Sequence, residues 1–338
     1  MTVRAVIFGC DGHELTAAER AFFREAKPWG FILFQRNCGS PEQIRRLTAA
    51  LRECVGRENA PILIDQEGGR VQRLRGEHWR KRPAAASFGS VSRQNPGNAR
   101  DLAYDNARVM AAELKDLGVN VDCTPCIDVP VEGSHDIIGD RAFGRDPWVV
   151  ASLGQAVIDG MLDGGVLPVI KHIPGHGRAR SDSHLELPVV DSPRAELERS
   201  DFAPFRALAH APLGMTAHVV YTDLDATSPA TTSKRVIDEI VRGFIGFDGA
   251  LMTDDLTMRA LKGSQTDRVR ASIAAGCDLV LHCSRDMDEM REIAAMVPIL
   301  SGKALQRTER ALAALKEPKP FVVAEAQARV DAALSRVA

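Results

Sequence analysis

Three of the nine histidines fall within thirteen positions, in KHIPGHGRARSDSHLELP, residues 171–188. His172 and His176 have the i, i+4 spacing of a zinc-binding helix, but Pro174 and Gly175 between them forbid that helix, so no metal is expected there. The glycines and prolines instead predict an irregular loop, long enough to act as a lid. Within it Asp182 precedes His184 by two residues. A carboxylate so placed can fix the imidazole tautomer and support its charged form, which makes His184 a usable proton donor near neutral pH. Alone, an Asp-x-His is as well explained by a local hydrogen bond, so the chemistry needs partners from elsewhere in the chain.

Those partners depend on the elements that carry the loop. Short, nearly continuous apolar runs recur as RAVIFG (4–9), WGFILF (29–34), APILID (60–65), VNVDCTPCID (119–128), VLPVIKH (166–172), LGMTAHVVY (213–221), FDGALMTD (247–254) and CDLVLHC (277–283). Such runs suit strands buried on both faces. Amphipathic segments lie between them. SPEQIRRLTAALRECVG, with Ser40 as N-cap and Gly56 as stop, is one; ARDLAYDNARVMAAELKDLG, TSKRVIDEIVRGFIG and QTDRVRASIAAG are others. Eight strands alternating with helices predict an α/β fold, a (β/α)8 TIM-type barrel; the count of eight favours it over a doubly wound open sheet. A charged helical stretch from Met287 to Ala338 follows, and with no linker, repeat or low-complexity segment one domain is expected over residues 1–338.

A barrel of this kind builds its active site on the loops that follow its strands. Those positions hold Asp65, Asp128, Lys171, His172 and, at the seventh strand, Asp254 and Asp255; His218 is expected within the sixth strand. Ionisable groups at the ends of apolar strands cost several kcal/mol if buried unpaired. Asp128 or Asp255 taken singly reads equally well as a helix cap, but the whole set would converge on one rim.

Composition narrows the partners. Lys and Arg number 43 against 45 Asp and Glu, a net charge of −2, which lacks the basic excess that a phosphate backbone usually requires; no nucleic acid is expected. The apolar run near the N-terminus is too short for a secretory signal, and no stretch is long enough to span a membrane. Seven scattered cysteines without an export signal predict free thiols and a cytoplasmic protein. Cys123 and Cys126 form a C-x-x-C, but on a strand and its exit, where neither a redox nor a zinc role is expected.

Lys171-His172-x-Pro-Gly-His-Gly followed by Asp182-Ser183-His184 resembles the signature of family 3 glycoside hydrolases that are β-N-acetylglucosaminidases. GFILFQRN (30–37), IDQEGGRVQRL (64–74), IGDRAFG (138–144), MTAHVVY (215–221) and FDGALMTDDLTM (247–258) match further blocks in the family's order. The chain is similar to the short, single-barrel bacterial members that trim N-acetylglucosamine from peptidoglycan fragments during cell-wall recycling. The resemblance implies Asp254 as nucleophile, His184 as general acid/base and Asp182 as the carboxylate that modulates it. It implies Asp65, Arg73, Arg141, Lys171 and His172 as the residues that hold the sugar. Ile173 departs from a usual Phe, Cys123 and Cys126 from Ala/Phe-type residues, and CDGHEL is a variant N-terminal block; none is a matched functional position.

The implied reaction is retaining hydrolysis through a covalent glycosyl-enzyme, with a histidine where most such enzymes use a second carboxylate. No cofactor is expected, the partner is a small GlcNAc-containing muropeptide, and a monomer is expected. A phosphorylase on the same scaffold repels incoming phosphate less with His184 than with a carboxylate, so it stands as the alternative. A catalytically silent sugar-binding protein is opposed by the intact Asp182, His184 and Asp254, and a metal-dependent barrel hydrolase is the remaining rival.

Overall fold

The computed structural model describes residues 2–335. Eight parallel strands close into a barrel in chain order: Arg4–Phe8, Pro28–Leu33, Ile62–Ile64, Val121–Asp122, Leu167–Ile173, Leu213–Thr216, Ala250–Asp255 and Leu279–His282. The first meets the last with Val6 opposite Val280 and Phe8 opposite His282. Alternation across each strand explains the continuous apolar runs. Ala5 and Ile7 join Leu63, Val169, Met252 and Leu281 inside the barrel, whereas Val6 and Phe8 face the surrounding helices.

Helix Pro41–Val55 begins where Ser40 Oγ accepts the Gln43 N–H at 3.3 Å and stops at Gly56, which takes a left-handed φ of 61°. Helix Gln265–Ala275 ends the same way at Gly276. The segment read as an ordinary amphipathic helix after residue 232 instead winds as π-helical turns over Val236–Phe244. The C-terminal stretch resolves into helices Met287–Met296, Gly302–Ala313 and Val323–Leu334; residues 336–338 lie outside the described part.

The fourth and sixth strands are shortened most relative to their apolar runs. The fourth is confined to Val121–Asp122, since Pro125 has no N–H to extend a ladder. Beyond it the chain stays beside the fifth strand through Val169 N–H to Thr124 O and Ile127 N–H to Lys171 O, each 2.9 Å. The sixth ends at Thr216; Val220–Tyr221 leaves the barrel to pair with Val189–Val190. His218 therefore lies just past the strand rather than within it.

The seven cysteines are unpaired. Among the described residues no helix is long and apolar enough to cross a membrane.

Candidate active site

At the C-terminal rim of the barrel a pocket of about 370 Å³ is lined by Asp65, Arg73, Arg141, Lys171, His172, His184 and Asp254. Residues at the ends of three strands and on three loops thus meet in one place. Asp182 stands behind His184, outside the lining.

The floor on one side is a network of charges. After the third strand the chain turns through a small hairpin, Gln66–Gly68 against Val71–Gln72, which delivers Arg73 back over Asp65. Asp65 accepts from Arg73 at 2.8 Å and from Lys171 Nζ at 3.0 Å. Glu67, two residues on, receives both Nε and a terminal nitrogen of Arg141 at 2.9 Å and pairs with Lys171 Nζ at 2.6 Å. Burial alone would neutralise these carboxyls, but the cations hold Asp65 well below the usual carboxylate range and Glu67 at about 2. Two carboxylates thereby fix three cations with N–H bonds to spare. Glu67 was not among the sequence candidates; its signal was the alternate spacing from Asp65, which places both acids on one side of an extended chain.

Asp128 is fully buried and is not a helix cap. Its Oδ2 lies 2.6 Å from His172 Nδ1, and its Oδ1 accepts the backbone N–H groups of His172 at 3.2 Å and His176 at 2.6 Å. A carboxylate can only accept, so His172 carries its proton on Nδ1 and turns an acceptor Nε2 toward Arg141, 3.5 Å away. Cys126 Sγ also donates to Asp128 Oδ2, at 3.3 Å. Among the described residues Cys126, Asp128 and His172 form the one cluster with the composition of a metal site. Hydrogen bonding alone accounts for its geometry.

The two acids after the seventh strand have different surroundings. Asp255 accepts from Thr257 N–H at 3.0 Å, Thr257 Oγ1 at 2.5 Å and Cys283 N–H at 3.2 Å, so it braces the turn. Asp254 accepts only the Asp255 N–H, at 2.8 Å, and makes no ion pair among the described residues. Burial raises its pKa, but His218, His172 and that N–H outweigh burial and hold it below the ordinary value. His218 is buried, with Nδ1 2.7 Å from Thr231 Oγ1 and Nε2 3.0 Å from Asp255 O, and so anchors the backbone that presents Asp254.

The mouth is formed by the expected irregular loop. His176 Nε2 lies 3.1 Å from Ser183 Oγ and the Tyr221 hydroxyl donates to Gly175 O, which secures the loop's base. His184 Nδ1 lies 2.8 Å from Asp182 Oδ1, leaving Nε2 free; its side chain is 61% exposed. Asp182 is held below its usual pKa because hydrogen bonds from His184 outweigh partial burial.

A model of the glycosyl hydrolase family 3 N terminal domain matches residues 12–318, a span that contains every pocket residue named above. The chain belongs to glycosyl hydrolase family 3. Members similar to it include a beta-hexosaminidase of Alkalilimnicola ehrlichii, 42% identical over 288 residues that cover 84% of this chain and 82% of that protein. A beta-hexosaminidase of Bordetella avium is 38% identical over 313 residues, covering 91% and 87%. Among solved structures, NagZ from Neisseria gonorrhoeae in complex with N-trifluoroacetyl-D-glucosamine aligns over 100% of this chain and 98% of its own, with 34% identity and a TM-score of 0.86.

Proposed function

We propose that this family 3 enzyme is a retaining exo-β-N-acetylhexosaminidase that removes terminal N-acetylglucosamine from muropeptides, working as one catalytic domain in the cytoplasm during cell-wall recycling. One observation carries the reading. Asp254, an ionised carboxylate free of any cation, sits in a pocket whose other wall is the Asp65–Arg73–Lys171–Glu67–Arg141 network, with an Asp–His pair at the mouth. The beta-hexosaminidase relatives and the sugar-bound NagZ neighbour support the same choice of sugar.

Chemically, an Asp254 oxygen attacks the anomeric carbon, the bond to the leaving oxygen breaks, and His184 Nε2 gives that oxygen its proton. Water then attacks the anomeric carbon, His184 takes the water's proton, and Asp254 departs as a carboxylate. Asp182 holds the imidazole orientation, and the imidazole, neutral between the two steps, regains its proton in the second. Arg73, Arg141, Lys171 and His172 Nε2 are placed to hydrogen-bond sugar hydroxyls and the acetamido oxygen.

Incubation with a slow fluorinated N-acetylglucosaminide, followed by intact-mass and peptide mapping, tests the reading. One sugar on Asp254, with loss of labelling and several orders of magnitude of turnover in Asp254→Asn, is expected. Labelling on Asp255 overturns the assignment.

A further inference from the structure

Ser183 stands between the two residues of the acid/base pair and differs from both in its surroundings. It is 3% exposed, while Asp182 is half-buried and the His184 side chain reaches solvent. A small polar residue gains nothing from burial unless its polar atoms find partners. Both do. The Ser183 Oγ lies 3.1 Å from His176 Nε2, and its carbonyl accepts the Ala260 N–H at 3.3 Å. Among the described residues these two hydrogen bonds are the ones that tie residues 180–187 to the rest of the protein. The others stay within the segment: His184 bonds Asp182 Oδ1 through its N–H and Nδ1, and the Leu185 and Glu186 N–H groups donate to Asp182 O.

Each anchor leads to a different part of the pocket. His176 donates its backbone N–H to Asp128 Oδ1 at 2.6 Å, so it rides on the carboxylate whose other oxygen orients His172. The two imidazoles meet edge-on, with centroids 5.6 Å apart. Burial and the neighbouring His172 push the His176 pKa down to about 4, so its ring is neutral at neutral pH. That ring hydrogen-bonds to Ser183 alone among the described residues, since its Nδ1 has no partner there. Ala260 is buried on the turn that follows Asp254 and Asp255. Arg268 holds the same turn by donating to Leu256 O at 2.6 Å and Met258 O at 3.2 Å.

The Asp182–His184 contact joins residues two apart. It orients the imidazole within the loop but cannot place the loop over Asp254; bonds that leave the loop must do that. We propose that Ser183 is a positioning residue for the proton donor. It is a pin that sets His184 Nε2 against the leaving oxygen, fixed to the nucleophile's turn through Ala260 and to the sugar-holding His172 through His176. The inference rests on the reading of Asp254 and His184 given above.

Ser183→Ala keeps the carbonyl bond and removes the one to His176. The test compares glycosylation rates of an alkyl N-acetylglucosaminide and of an aryl one with an acidic phenol, because a misplaced proton donor harms the leaving group that needs the proton. A neutral hydrogen bond is worth about five- to ten-fold. The alkyl rate is expected to fall by that much more than the aryl rate, with KM unchanged, and Ser183→Thr, which keeps the hydroxyl, is expected to restore it. His176→Ala should give the same bias, and the double variant no more than either alone, since both changes remove one bond. Equal losses on the two glycosides, or biases that multiply in the double variant, overturn the proposal. Hydrogen exchange of peptides spanning 180–187 reads the pin without turnover. Faster exchange in Ser183→Ala than in the wild type supports the proposal, and identical exchange overturns it. Failure of the enzymatic reading is seen separately: His184→Ala then shows no bias between the glycosides, whereas a proposal that fails alone leaves that bias in place.

Discussion

His184 and His172 each pair with a carboxylate, yet their surroundings give them different work. His172 is enclosed with Asp128 and presents a fixed acceptor; His184 is mostly exposed and free to move a proton. A general acid matters most when the leaving group is poor. His184→Ala should therefore slow the glycosylation step severely for alkyl glycosides and much less for aryl glycosides with acidic phenols, read by pre-steady-state kinetics. The same fractional loss for both would leave His184 as a loop brace only. Glu67 tests the opposite wall. Glu67→Gln removes the charge that both Arg141 and Lys171 lean on, while Asp65 still holds Lys171. Breaking a buried pair by losing one partner costs about 3–5 kcal/mol, and the retained amide and Asp65 should keep this loss at the lower end. KM should rise more than ten-fold, with partial rescue by Glu67→Asp; an unchanged KM alongside a lowered Tm would reduce Glu67 to a structural role. Asp65, Lys171, His172 and Asp254 are legible as residues at strand ends and Asp182 and His184 from the Gly/Pro loop, whereas Arg73 and Arg141 come from the family resemblance alone. Glu67 lies past the strand end, in the hairpin Gln66–Gly68, so its alternate spacing from Asp65 becomes a signal only once that hairpin is known.

Elements built from strong local signals were legible, and those shaped by tertiary contact were not. Eight apolar runs gave eight barrel strands, and the Ser40 and Gly56 punctuation bounded its helix. Nothing local marks where the sixth strand leaves the barrel, since Val219, Val220 and Tyr221 are as apolar as a strand and are buried against other partners. The π-helical turns at Val236–Phe244 likewise follow from packing, not from a 3.6-residue period. The fourth strand hides a further element-scale consequence. Asp122 ends it fully buried, with Oδ1 accepting the Gln66 N–H at 2.9 Å and Oδ2 without a partner. Burial lifts its pKa to about 8, against the pull of that N–H and Lys171. A folded pKa raised above the unfolded one stabilises the protein fully at low pH, and the gain is lost as pH climbs through the folded value. Melting curves should thus show this contribution lowering wild-type stability between about pH 4 and about pH 8, with Asp122→Asn falling less over the same range. Parallel profiles for the two proteins would mean that Asp122 does not titrate there.

Across the whole molecule, the last helix reaches back to the element that delivers Arg73. Helix Val323–Leu334 buries Ala326 and Val330 and packs on helix Pro96–Asp116. Arg329 pairs with Asp105 at 2.8 Å, Arg80 with Asp331 at 3.2 Å, and Arg82 donates to Gln327 while pairing with Glu113 at 2.7 Å. Arg82 is the joint of this arrangement. Its N–H donates to Gln72 Oε1 at 2.9 Å and its carbonyl accepts the Gly69 N–H at 3.0 Å, which clamps the hairpin immediately before Arg73. The exposed ion pairs contribute little; burial of the two apolar side chains contributes roughly 2–4 kcal/mol. Deleting residues 322–338 should accordingly lower Tm by several degrees without unfolding the barrel. Because the clamp on the hairpin loosens while Asp254 and His184 are untouched, KM should rise severalfold and kcat should change little. The deletion and Arg82→Ala should then shift KM in the same direction and combine to less than the product of their separate effects, since both act through one joint. A deletion that lowers Tm but leaves KM unmoved would show that Glu113 and Gln72 hold Arg82 without help, and that the C-terminal helix serves stability alone.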